Sequence, residues 1–114
     1  MPLFQHRHYL LICDRVLANE LVDRITLAEP DITVIGPRHL DAKRKRDAFW
    51  VYDLTSGDGG KIELAISVTG TSSGAAAVEG EYWVLIDSAS FFSKKSSRLA
   101  DDVRTRLLEF GATE

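Results

Sequence analysis

The segment Ile62-Glu63-Leu64-Ala65-Ile66-Ser67-Val68-Thr69 alternates a large aliphatic side chain with a small or polar one at every step. Period-2 alternation is the mark of a β-strand with one face buried and the other turned to water. Upstream lies the turn cluster Ser56-Gly57-Asp58-Gly59-Gly60, and before it a second β-prone run, Phe49-Trp50-Val51-Tyr52-Asp53-Leu54. Together they predict a β-hairpin at the centre of the chain. A three-residue loop, Asp58-Gly59-Gly60 with Gly60 left-handed, would place Trp50, Tyr52 and Leu54 on the face of Leu64, Ile66 and Val68. A slip of one residue would carry Asp53 into the core.

Outward from the hairpin, residues 8–13 predict a short first strand, followed by Asp14 at an N-cap position. Leu17, Ala18, Leu21, Val22, Ile25 and Ala28 then recur at helical spacing, with Glu20 and Arg24 as an i,i+4 pair on the wet side. Pro30 ends this helix. Residues 32–35 predict a second strand, closed by Gly36-Pro37, and residues 38–47 an exposed loop. The apolar run at 82–86 predicts a strand in the interior of the sheet. Phe92, Leu99, Val103, Leu107 and Phe110 form the stripe of a last helix, with Asp102 and Arg106 at i,i+4 and Gly111 as its C-cap.

The predicted order is β-α-β-β-β-β-α in a single α+β domain spanning 1–114. This is a two-layer sandwich whose largely antiparallel five-stranded sheet carries both helices on one face. A chain of 114 residues, 45% hydrophobic and 27% charged, can bury one core. The net charge of −3 argues against a general nucleic-acid binder, and the lone Cys13 against a disulfide framework. With no membrane-length apolar run and no signal-peptide pattern, the expectation is a cytoplasmic protein, of bacterial type.

No catalytic or cofactor motif stands out. His6, His8, Cys13 and His39 lack the paired spacing of a zinc site, so neither metal nor cofactor is expected. No nucleophile elbow frames any of Ser88, Ser90, Ser93, Ser96 or Ser97, which instead suit the capping of the last helix. Asp53 and Asp87 both close strands and offer a carboxylate pair, the basis of a third reading as a small enzyme. Lys43, Arg44, Lys45 and Arg46 form the densest charge run, suited to electrostatic contact with an acidic partner. With Lys94 and Lys95 at the start of the last helix, they also support an alternative reading as an anion or nucleic-acid binder.

Aromatic residues crowd two strands, and both parities of residues 49–54 are apolar. The sheet face away from the helices must therefore meet a partner, or be covered by Pro2-Leu3-Phe4 or residues 75–78. The leading expectation is a non-catalytic interaction module of inhibitor, immunity or adaptor type, or a homodimer-forming domain. It would contact a protein partner through Phe49, Val51 and Trp83.

Overall fold

A computed structural model describes residues 7–39, 50–68, 81–88 and 93–114. The elements run β1 (His8–Asp14), α1 (Arg15–Ala28), β2 (Thr33–His39), β3 (Trp50–Thr55), β4 (Lys61–Val68), β5 (Glu81–Asp87) and α2 (Lys94–Phe110). The five strands form one sheet in the order β1-β5-β4-β3-β2, and every neighbouring pair is antiparallel. This is the two-layer α+β sandwich expected from the alternation and the two helical stripes. β1 and β2 lie at opposite edges, so α1 connects one side of the sheet to the other.

One face of the sheet and both helices share a single core. Leu11 and Cys13 of β1, Leu54 of β3, Ile62, Leu64 and Ile66 of β4, and Val84 and Ile86 of β5 meet Leu17, Ala18, Leu21 and Ile25 of α1. Leu99, Ala100, Val103 and Leu107 of α2 complete it. The strand members are all of one parity, as two-fold pleating requires. Asp14 caps α1, its carboxylate accepting from the Leu17 amide at 2.8 Å. Glu20 and Arg24 pair at 2.6 Å, and the Arg24 guanidinium also lies 5.9 Å from the centre of the Phe110 ring, tying α1 to α2. The expected partner of Arg106 was Asp102. Arg106 instead reaches Glu29 just past α1 at 2.9 Å and Glu109 at 3.2 Å, so its charge joins two elements rather than one helix turn.

The central hairpin keeps the expected parity with a different loop. Leu54 faces Ile62, Tyr52 faces Leu64 and Trp50 faces Ile66. The Gly59 amide bonds the Ser56 carbonyl at 3.0 Å, and the Ser56 amide bonds the Gly60 carbonyl at 2.8 Å. The tight loop is therefore Gly57-Asp58-Gly59, and the left-handed residue is Gly59 (φ 98°) rather than Gly60. Gly60 answers a different demand. A Cβ there would lie 2.5 Å from the Lys95 carbonyl oxygen, because the turn seats directly against the first turn of α2. The Lys61 amide completes that seat, donating to Ser96 Oγ at 3.0 Å.

β2 also departs from expectation. It runs through Gly36-Pro37 to His39, with a register shift between Ile35 and Arg38. An edge strand tolerates a proline because no inner neighbour needs its missing amide. Gly36, at φ 136°, lies against β3, where a Cβ would meet the Val51 carbonyl oxygen at 2.9 Å. At the other edge, Thr113 forms a two-way backbone bridge with Ile12, at 2.7 and 2.8 Å.

Two substitutions test this packing. Leu107→Ala, at a fully buried site, is expected to cost about 2–4 kcal/mol in denaturant melts. Gly60→Ala forces backbone apart at the turn–helix contact and is expected to cost about 1–3 kcal/mol. Gly59→Ala makes no contact clash and strains only its own φ, so it should cost less than Gly60→Ala.

Candidate binding surfaces

The strand register decides what the helix-free sheet face displays. Three rows of side chains cross it. The first joins His8, Asp87, Glu63 and Asp53. The second joins Leu10, Leu85, Ala65 and Val51, and the third Ile12, Trp83 and Ser67. An apolar band two rows deep is thus bordered on one side by carboxylates, and beyond its other side Asp14 faces Glu81. Leu10 is 43% exposed; Ile12, Trp83, Leu85 and Ala65 are half-buried. Ile35, 64% exposed, lies beyond Asp53 at the β2 end of the carboxylate row.

Asp53 and Asp87 do not form a pair. Glu63 stands between them, and two strand spacings put them roughly 10 Å apart. Arg38 binds Asp53 at 3.2 Å and Glu63 at 3.1 Å, and this contact holds its guanidinium charged. His8 Nδ1 lies 3.6 Å from Asp87. Both side chains of the His8–Asp87 couple are exposed, at 58% and 41%.

Of the residues expected at the interface, Trp83 lies within the band, between Ile12 and Ser67. Val51 belongs to the same face but is only 1% exposed, so an approaching surface would meet Leu10, Trp83 and Leu85 instead. Phe49 and the run Lys43, Arg44, Lys45 and Arg46 lie outside the described residues, as do the two segments named as covers. Sequence reasoning missed Leu10, Ile12 and Leu85. Their signal was the unbroken apolar character of residues 9–13 and 82–86, where both parities must find a neighbour.

The start of α2 uses its serines internally. Ser93 Oγ accepts from the Ser96 amide at 2.9 Å, and Ser96 and Ser97 are buried. The adjoining cleft is lined by Glu29, Asp31, Asp58 and Asp102 against Lys95 and Arg98. Burial, then the charges of Glu29 and Asp101, raise the Asp102 pKa, as expected where carboxylates crowd. Such surroundings repel an anion.

A second hollow lies on the helix side of the sheet, distinct from the band. It holds about 290 Å³ and is lined by Ala18 and Asn19 of α1, Pro37 of β2, Trp50 and Tyr52 of β3, Ile66 of β4 and Tyr82 of β5. Elsewhere, Tyr9 Oη of β1 bonds Asp101 at 2.5 Å, Arg7 reaches the same carboxylate at 3.1 Å, and Arg104 stacks over the Tyr9 ring at 5.1 Å. That network fastens β1 to α2. No group of three or more metal-ligating side chains occurs among the described residues.

No family model matches this sequence, and comparisons with curated proteins and with solved structures return no match.

Cys13 is buried in the core, and burial pushes its thiol from 9.0 up to about 11, with Asp14 adding to the shift. At neutral pH it carries about a hundredfold less thiolate than the 9.0 value would give. Ellman's reagent should leave the native protein unlabelled and modify one thiol per chain in denaturant. Because the folded state holds this proton more tightly, Cys13 makes stability fall as pH rises from about 9 through 11.

Proposed function

We propose that this chain is a non-catalytic protein-binding module whose helix-free sheet face receives a partner protein bearing an apolar patch rimmed by basic side chains. The observation that carries the reading is the apolar band of Leu10, Ile12, Trp83, Leu85 and Ala65, which no described helix covers. Contiguous apolar surface with a polar border is the anatomy of protein interfaces, where a central aromatic supplies much of the affinity. Trp83 fills that role here.

Charge selects the kind of partner. Among the described residues of this face, Asp14, Glu63, Glu81, Asp53 and Asp87 outnumber Arg38 and Lys61. A second copy would set carboxylates against carboxylates, and a nucleic acid would set them against phosphate. A basic rim removes both conflicts. The solvent exposure of the His8–Asp87 couple favours the non-catalytic reading.

Crosslinking in cells, identification of the linked protein and titration of the purified pair test this reading. Leu10→Asp and Trp83→Ala should each weaken binding by more than about tenfold while circular dichroism stays native. Raising salt should slow association, as expected for oppositely charged rims. Wild-type affinity in both folded variants would overturn the proposal. So would a self-association that Leu10→Asp abolishes, since the occupant would then be a second copy.

A further inference from the structure

The hollow between α1 and the sheet has a composition unlike the rest of the surface. Trp50 and Ile66 are cross-strand neighbours on its floor, and Tyr52 and Tyr82 sit at diagonal positions around Ile66. Ala18 and Asn19 overhang them from α1, and Pro37 closes one side. Three aromatic rings therefore converge on one space, beneath a roof kept open by the small side chain of Ala18. None of the seven described lining residues is a carboxylate, a lysine, an arginine or a histidine.

We infer that this hollow is a binding site for a small, uncharged, planar aromatic molecule, on the opposite side of the sheet from the protein-docking band and independent of it. Its volume of about 290 Å³ lies near the lower end of the range for small-molecule pockets, about 300 Å³. The ring floor offers stacking and edge-to-face contacts, which reward a flat ligand over a flexible aliphatic one. Among the described lining residues a charged ligand would lose hydration without meeting an opposite charge. The polar groups that could orient a ligand are the Asn19 amide and the two phenols, each able to serve as donor or acceptor.

Trp50 makes the site directly observable. The chain has two tryptophans, so Trp83→Phe leaves Trp50 as the sole indole, placed in the site wall. Titration of that variant with N-phenyl-1-naphthylamine, a neutral two-aromatic-group fluorophore, should quench Trp50 emission saturably and raise the emission of the probe. Asn19→Phe, at an exposed helix position overhanging the mouth, should weaken binding about tenfold by filling the space, and Tyr82→Ala should do likewise by removing a wall ring. Leu10→Asp, on the other side of the sheet, should bind the probe as the parent does. The sulfonated analogue 8-anilinonaphthalene-1-sulfonate should bind at least about tenfold more weakly, because its charge finds no partner. Absence of saturable quenching would overturn the inference. Equal binding by folded Asn19→Phe would place the probe elsewhere, and equal affinity for the anionic analogue would overturn the ligand class. If Tyr82→Ala fails to fold, Asn19→Phe alone decides the location.

Discussion

The pairing of Thr55 with Lys61 across the central turn sets the side chains of Asp53 and Glu63 on the face away from the helices. Slipping β3 by one residue against β4 would exchange Leu54 for Asp53 under the helices. A buried carboxylate in place of an aliphatic side chain would follow, at several kcal/mol for the unpaired charge. The turn that enforces the register is itself held from both directions. Within it, the Asp58 carboxylate accepts from Ser56 Oγ and from the Gly60 amide, a pairing that lowers its pKa. From outside, the first turn of α2 presses on Gly60 and accepts the Lys61 amide through Ser96. The site rows on one face and the ring cluster on the other both inherit their alignment from this one joint.

Much of that arrangement was legible in the sequence because alternation is local information. Ile62, Leu64 and Ile66 announce a buried face without knowledge of what buries it, and Asp14, Pro30 and Gly111 mark the helix ends by their own backbone chemistry. The position of the left-handed glycine was not legible. Gly57, Gly59 and Gly60 are equally permissive, and no local pattern shows that Gly60 is reserved for close contact with the Lys95 carbonyl, far along the chain. Arg106 shows the same limit, since helix spacing offered Asp102 and the tertiary fold supplied Glu29.

The candidate surfaces divide along the same line. The sheet face was foreseen as the place where apolar residues would be left over, yet its members differ from those expected. Val51 is closed off, while Leu10, Ile12 and Leu85 stand beside Trp83. Strand order explains the difference. Placing β1 beside β5 joins two strands whose central residues are apolar on both faces, an adjacency that no pattern within either strand reveals. The hollow lined by Trp50, Tyr52 and Tyr82 depends on where α1 passes over the sheet, a matter of packing between layers. Only the shared parity of residues 50 and 52 hinted at it.

The bridge between Thr113 and Ile12 bears on how such a sheet avoids polymerising. An edge strand is a template on which further strands can grow into fibrils. Here the outer edge of β1 is met at its midpoint by the chain's own Thr113, and that of β2 is broken by a bulge and Pro37. Both ends of the template are thereby spoiled, one by occupation and one by irregularity. An apolar sheet face is combined with edges that offer no regular template for amyloid-like stacking.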